Sequence, residues 1–262
     1  MHIEEIINQI TPLDADCMHL AQERLDKLIK PVGSLDKLEK LVVQYAGITG
    51  KYKKEELENP KKALLIWCGI EQAAAAEQLL RDAWPVNVLA KSVGADVYPL
   101  LIVSESLSDA LEEGASLVQE IISRENYGLV AFGCVAPSQD SLVQAAMAGG
   151  MLQAAAVKTL VLLDGVASCD AALRAVQLAA NVRAYLWAGH LSAEEGAADR
   201  LERLGLSSCL KLQLPEGVGE GAAVACTLID AALKAYREME TFEEAGVTGE
   251  VKAYSRHEEL TK

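Results

Sequence analysis

The residues best suited to chemistry lie in one short glycine-rich stretch, Pro215–Gly221, with the sequence PEGVGEG. Closely spaced glycines let backbone N–H groups converge on an anion such as a phosphate, above all where a helix begins. Two carboxylates, Glu216 and Glu220, belong to the same stretch, and a carboxylate beside a bound phosphate can act as a base toward a neighbouring ligand. The sequence therefore predicts a phosphate-binding site with a general base, with a plain glycine-rich turn and solvated acids as the alternative. Its three glycines are Gly217, Gly219 and Gly221.

Other loops carry polar side chains directly after short apolar runs. Asp164 and Gly165 follow one run and precede Ser168; this group could contact a sugar or a base, or form a turn with Ser168 as a helix N-cap. His190 follows another run and is either catalytic or a hydrogen-bonded surface histidine. In a third loop, the thiol of Cys134 is either reactive or simply buried. The further substrate-binding candidates in these loops are Gly133, Gly189 and Ser192.

The sequence predicts neither a metal site nor a nucleotide cofactor. The remaining histidines, His2, His19 and His257, lie in the N-terminal helical region or the tails, so no cluster with metal-ligand spacing forms. The turn after the first apolar run is only Cys68-Gly69-Ile70, which is too short for the GxGxxG fingerprint of a dinucleotide-binding protein.

Six short apolar runs alternate with helix-like segments from residue 63 onward. Each run is mostly unbroken, which is typical of strands buried on both faces. Six βα units predict an α/β fold, with a six-stranded parallel sheet and helices on both faces. Ligands bind beyond the carboxyl ends of such strands, where the candidate loops lie. The runs are Ala63–Cys68, Val97–Val103, Leu129–Gly133, Thr159–Leu163, Val182–Ala188 and Cys209–Leu214.

The two ends of the chain differ from this central region in their pattern of apolar and polar residues. Residues 1–60 are predicted to be a helical arm, with helix starts at Thr11-Pro12 and Gly33-Ser34, and a polar link closes it at Lys51–Lys62. The α/β domain then covers 61–221. A last apolar helix begins at Ala222, and 248–262 is a polar tail.

Composition excludes several function classes. The 262 residues carry 24 Lys and Arg against 38 Asp and Glu, a net charge of −14. Such a surface repels nucleic acid and disfavours anionic membranes. No apolar run reaches the roughly 18 residues that span a bilayer, and the N-terminus shows no secretory signal. Six scattered cysteines without a CxxC pair favour free thiols, so we expect a cytoplasmic protein.

Six stretches of the chain resemble one enzyme family in order. The first, Arg24–Leu35 (RLDKLIKPVGSL), and the last, Thr241–Val247 (TFEEAGV), are the most specific. They are similar to the nicotinate-nucleotide–dimethylbenzimidazole phosphoribosyltransferases. The stretches between them are Val86–Ala90 with Gly94–Val97, Val161–Gly165, His190–Glu194 with Gly196, and Leu214–Gly219.

The resemblance implies a function in making the lower-ligand nucleotide of cobamides. Such enzymes move phosphoribose from nicotinate mononucleotide to a base such as dimethylbenzimidazole, or a phenolic base, and release nicotinate. The implied fold is a Rossmann-like domain plus a small helical domain, here 1–60 with 222–247, usually in a dimer and without a cofactor. The family's general base is a glutamate in a glycine-rich loop. By local order it corresponds to Glu216, and Glu220 is the alternative because two extra residues follow this loop.

The chain departs from the family pattern in the loops that should hold ligands. Where the family has an acid and several glycines after the third strand, Gly133–Asp140 reads GCVAPSQD. The family's Asp-His-Gly turn after the first strand and a later loop with a substrate lysine are missing. Two hypotheses follow: a shortened phosphoribosyltransferase, or a non-catalytic subunit that pairs with a full-length paralogue. The dimer partner is accordingly a second copy or that paralogue.

Overall fold

The protein, seen in a computed structural model that describes residues 2–82, 84–136 and 140–247, divides into two compact units. One contains the chain up to Pro12 and Pro60–Thr227; the other contains Leu13–Asn59 and the chain from Leu228 onward. This division places the first twelve residues with the sheet and falls within the last helix, whereas the sequence boundaries were 60 and 222. The polar tail predicted for 248–262 lies outside the described residues.

A five-stranded, entirely parallel sheet forms the centre of the first unit. Its strand order is β2-β1-β3-β4-β5. Every residue of β1, β3, β4 and β5 is buried, which requires cover on both faces of the sheet and explains why their sequences read as unbroken apolar runs. The strands are β1 Lys62–Gly69, β2 Ala95–Ile102, β3 Leu129–Cys134, β4 Leu160–Leu163 and β5 Leu186–Ala188.

The predicted sixth strand was wrong. Residues 209–214 contribute only an isolated parallel bridge between His190 and Leu210. Three consecutive residues of this segment are exposed, and Gln213 has a φ of 61°, outside the range of regular β-strand backbone. The predicted fifth strand is shorter than expected, because Ala180–Tyr185 forms a 3₁₀ helix before β5.

Several helices of this unit begin shortly after a strand ends. Ser106 accepts a hydrogen bond from the Asp109 N–H at the start of α6, as an N-cap should. Ser168 is not an N-cap: α8 already begins at Gly165, and the Ser168 hydroxyl donates to the Gly165 carbonyl inside the helix. The helices of this unit are α1 Ile3–Gln9, α4 Ala73–Leu80, α5 Pro85–Ser92, α6 Leu107–Glu125, α7 Ser141–Ala156, α8 Gly165–Leu178, α9 Ala197–Leu204 and the first part of α10 Glu220–Glu238.

The second unit is helical. It contains α2 Ala15–Lys27, α3 Lys37–Thr49 and the later part of α10. Asp14, not Thr11, caps α2 by accepting from the Cys17 N–H. An antiparallel bridge between Leu28 and Thr241 joins the two chain segments of this unit. Across both units, no helix of the described chain is long and apolar enough to cross a membrane.

Candidate active site

The glycine-rich stretch Pro215–Gly221 packs directly on the carboxyl edge of the sheet. The Cys134 N–H, at the end of β3, donates to the Gly217 carbonyl at 2.8 Å. A Cβ on Gly217 would lie 2.3 Å from the Gly165 Cα, and one on Gly133 would lie 2.4 Å from the Val218 oxygen. Only glycines permit this approach of backbone to backbone. The predicted candidates Gly133, Gly165 and Gly217 therefore meet at one place, where they serve close packing.

The backbone N–H groups of this stretch bind a carboxylate of the chain itself. The Gly219 and Gly221 amides donate to Asp164 Oδ2 at 2.9 and 3.1 Å. Asp164 follows β4 and is 1% exposed. The sequence predicted that these amides would be free to hold a phosphate; the structure places the Asp164 carboxylate there. Since α10 begins at Glu220, the same carboxylate supplies the negative charge that a helix N-terminus favours.

His190 lies behind Asp164 in the interior. Its side chain is fully buried, and Nδ1 lies 3.5 Å from Asp164 Oδ1, slightly beyond hydrogen-bond distance. Neither ring nitrogen has a hydrogen-bond partner among the described residues, and neither does Asp164 Oδ1. A Cβ on Gly221 would meet both groups, at 2.5 Å from Nδ1 and 2.6 Å from Oδ1. His190 is thus an interior group that contacts the site, and the surface alternative is wrong.

A second carboxylate, Glu194, binds the N-terminus of α8. Its Oε2 accepts from the Val166 N–H at 2.9 Å and from the Ser192 hydroxyl at 3.0 Å. Ser192, a predicted substrate contact, is buried and orients this acid. Sequence reasoning did not select Glu194. The sequence signal that could have identified Glu194 is the Ser192-x-Glu194 spacing, because the Ser192 hydroxyl accepts a hydrogen bond from the Glu194 N–H.

The two glutamates of the glycine-rich stretch differ in environment. Glu216 is exposed, whereas Glu220 is half-buried and its Oε2 is enclosed without a hydrogen-bond partner. Burial raises the pKa of Glu220, and the nearby charges of Asp164 and Glu216 raise it further. A carboxylate that holds its proton more tightly is a stronger base once ionised.

The two remaining candidates from the sequence, Gly189 and Cys134, lie in packed or buried surroundings. Gly189 lies against α10, where a Cβ would come within 2.2 Å of the Ala225 Cβ. Burial raises the pKa of the Cys134 thiol to about 12, so the thiol is a buried side chain and not a nucleophile at neutral pH. Within the described ranges, no group of three or more His, Cys, Asp or Glu side chains could hold a metal ion.

A cavity of about 370 Å³ opens at the carboxyl ends of β1 and β2. Ile70, Ile102, Val103, Leu142 and Val143 give it apolar walls, as suits a small aromatic molecule. Its polar lining comes from Ser104, Glu105 and Asp140.

The helical unit has a separate, open pocket of about 690 Å³ between the two stretches that most specifically resemble the family. Arg24 there donates to the Tyr236 and Met239 carbonyls and lies 3.5 Å from Glu244. Lys54 also pairs with Glu244, at 2.6 Å. This hydrogen bond from Lys54 is the largest cause that lowers the pKa of Glu244, to about 2.

Comparison with known proteins identifies the family. A family model described as phosphoribosyltransferase matches residues 10–105 and 138–247. The nicotinate-nucleotide–dimethylbenzimidazole phosphoribosyltransferase of Shigella sonnei (strain Ss046) is 29% identical over 338 aligned residues, covering 90% of this chain and 94% of the relative. That of Geotalea uraniireducens (strain Rf4) is 28% identical, covering 94% and 98%. Both alignments are longer than this chain of 262 residues, so the relatives carry segments that it lacks.

The fold agrees with these matches. The crystal structure of the enzyme of that name from Thermus thermophilus superimposes with a TM-score of 0.81 at 23% identity, covering 91% of this chain and all of the other. The chain therefore belongs to the family of the nicotinate-nucleotide–dimethylbenzimidazole phosphoribosyltransferases.

Proposed function

We propose that the protein transfers phosphoribose from nicotinate mononucleotide to a small aromatic base, dimethylbenzimidazole-like or phenolic, in cobamide biosynthesis. Two curated enzymes of this name match nearly their full length. The observation that carries the proposal is a half-buried glutamate with a raised pKa, Glu220, in a glycine-rich stretch on the carboxyl edge of a parallel sheet.

The chemistry requires one proton acceptor. The bond between C1′ of the ribose and the pyridine nitrogen breaks, and its electron pair stays on the departing nicotinate. The acceptor nitrogen or oxygen then bonds to C1′, and its proton passes to a carboxylate. C1′ gains oxocarbenium character as nicotinate leaves, so a carboxylate nearby also stabilises the developing positive charge.

We assign the general base to Glu220 and not to Glu216, although the local order of residues in the family's glycine-rich loop favoured Glu216. Burial raises the pKa of Glu220, and one of its oxygens is enclosed without a hydrogen-bond partner, whereas the Glu216 side chain is exposed to solvent. We retain the edge residues Gly133, Asp164, Gly165, Gly217 and Gly219 as the support of this site. We also retain Gly189, His190, Ser192 and Gly221, which lie beside it.

The alternative hypothesis, a non-catalytic subunit, has less support, because the matched relatives are enzymes over most of both chains. We infer that the protein acts as a dimer in the cytoplasm. Light scattering of the purified chain, alone and with any co-expressed paralogue, tests the assembly.

Nicotinate release tests the function. The purified chain is incubated with nicotinate mononucleotide and a panel of azoles and phenols, and nicotinate and the new nucleotide are measured by chromatography. We expect release with at least one acceptor, and E220Q should lower kcat by about 10²- to 10⁴-fold. E216Q is the matched control and should retain most of the activity. A failure to release nicotinate with every acceptor of the panel contradicts the function; equal loss in both variants contradicts the assignment of the base.

A further inference from the structure

Asp164 makes contacts that a turn residue does not need. It lies between β4 and α8, yet its Oδ2 accepts two N–H groups from a stretch more than fifty residues later in the chain, at Gly219 and Gly221. The other oxygen, Oδ1, faces the buried His190 and has no hydrogen-bond partner among the described residues. A buried carboxylate with one unpartnered oxygen is costly, so the two bonds of Oδ2 must offset that cost.

We propose that Asp164 is a positioning residue for the transfer: its carboxylate holds the glycine-rich stretch on the sheet edge and so fixes Glu220, which the proposed function makes the proton acceptor. The two amides that it binds flank Glu220 on either side in the chain. Movement of the glycine-rich stretch would therefore displace the Glu220 carboxylate directly. Misplacement of a catalytic group by about 1 Å can cost about 10²-fold in rate.

The charged groups around Glu220 define what Asp164 adds. Burial is the largest cause that raises the pKa of Glu220. The charges of Asp164, in the turn before α8, and of Glu216, in the same stretch, raise it further. Two further groups come from the loop after β5: His190 contacts Asp164, and the Glu194 side chain binds the N-terminus of α8. Asp164 alone among these four is bonded to the backbone on both sides of Glu220. Asp164 thus contributes to both the position and the basicity of Glu220.

Two substitutions separate these effects. Asp164→Asn keeps an oxygen acceptor for the two amides and removes the charge. Asp164→Ala removes both. The readouts on the full chain are hydrogen–deuterium exchange of residues 217–221, titration of the Glu220 carboxyl by ¹³C NMR with E220Q for its assignment, and kcat and KM against pH. Asp170→Asn is the matched control, because Asp170 lies on α8 and pairs with Arg200.

In Asp164→Asn, we expect slow exchange as in the unmodified chain, a Glu220 titration moved to lower pH and an acid limb of kcat that moves with it. In Asp164→Ala, exchange at 217–221 should accelerate at least about tenfold, and kcat should fall about 10²-fold with a much smaller change in KM. Asp170→Asn should change none of these values.

Unchanged exchange in Asp164→Ala, or an unchanged Glu220 titration in Asp164→Asn, overturns the proposal. If the alanine variant does not fold, the asparagine variant decides by its titration. The activity readouts depend on the proposed function, whereas exchange and titration do not. A chain that releases no nicotinate would therefore contradict that function and leave the role of Asp164 to be decided by those two measurements.

Discussion

Glu220 should weaken the fold at neutral pH. Its pKa is raised in the folded chain by burial and by nearby negative charge. An acid of this kind contributes its full stability below its unfolded pKa, and that contribution is lost as pH rises through the folded pKa. Glu220→Gln, which stays neutral, should therefore raise the Tm at neutral pH, and the difference should shrink toward about pH 4. Calorimetric scans across pH measure this.

The control for this prediction is Glu216→Gln. Glu216 is exposed, so its substitution should leave the Tm nearly the same at every pH. Parallel curves of Tm against pH for the unmodified chain and Glu220→Gln would show that ionised Glu220 costs no stability. The expected conflict between the basicity of an active-site carboxylate and stability is a general one.

Asp36 stores backbone strain in the helical unit. It has φ 42° and ψ −101° just before α3, a conformation that residues with a Cβ rarely adopt. Asp36→Gly should raise the free energy of unfolding by about 1 kcal/mol, after loss of the exposed ion pair with Lys40. Asp36→Ala loses the same pair and keeps the strain, so it should be less stable than the glycine variant. Urea denaturation of both measures the difference, and equal stabilities would contradict the strain.

A buried ion pair fixes the loop that precedes α3. Lys30 Nζ lies 2.8 Å from Glu39 Oε1, both side chains are at most 6% exposed, and the same oxygen accepts from the Leu35 N–H. Lys30→Met leaves the Glu39 charge buried without its partner and should cost about 3–5 kcal/mol of unfolding free energy. The double variant Lys30→Met/Glu39→Leu should cost less than the single one, because no charge remains buried. Urea denaturation decides, and a double variant less stable than Lys30→Met contradicts this account.

The sequence predicted the central strands because burial on both faces leaves a clear pattern. Residues 63–68 and 129–133 are unbroken apolar runs, and both form fully buried strands. Residues 209–214 carry four apolar residues, but Lys211 and Gln213 alternate with them. This segment follows the three-residue β5 at the edge of the sheet and makes one bridge only. Strand pairing at an edge depends on the neighbouring strand's length and backbone direction, which composition does not encode.

The sequence predicted which loops meet at this edge of the sheet, but it did not predict the hydrogen bonds between them and did not select Glu194. Parallel topology brings the ends of β4 and β5 to one edge, so Asp164 and His190 were expected near the glycine-rich stretch. The glycines were expected to bind an external phosphate, yet Gly219 and Gly221 bind Asp164. Their spacing indicates an anion but not its source, since a carboxylate far away in sequence satisfies the same amides.

The net charge of −14 should govern the encounter with the donor. Nicotinate mononucleotide carries a phosphate and a carboxylate, so it approaches a surface of its own sign. Salt screens this repulsion, with a Debye length of about 10 Å at 0.1 M. We expect the KM for the donor to fall at least about twofold as NaCl rises from about 20 to about 300 mM.

The acceptor is the internal control for that experiment. A neutral azole feels no repulsion, so its KM should stay nearly constant over the same salt range while kcat is unchanged. Long-range repulsion and local contacts predict opposite changes of the donor KM with salt. A donor held mainly by nearby cations would bind less tightly as salt rises. A rising KM for the donor would therefore contradict control by the net charge. It would point instead to lysine or arginine side chains near the phosphate, which mutation to alanine would then identify.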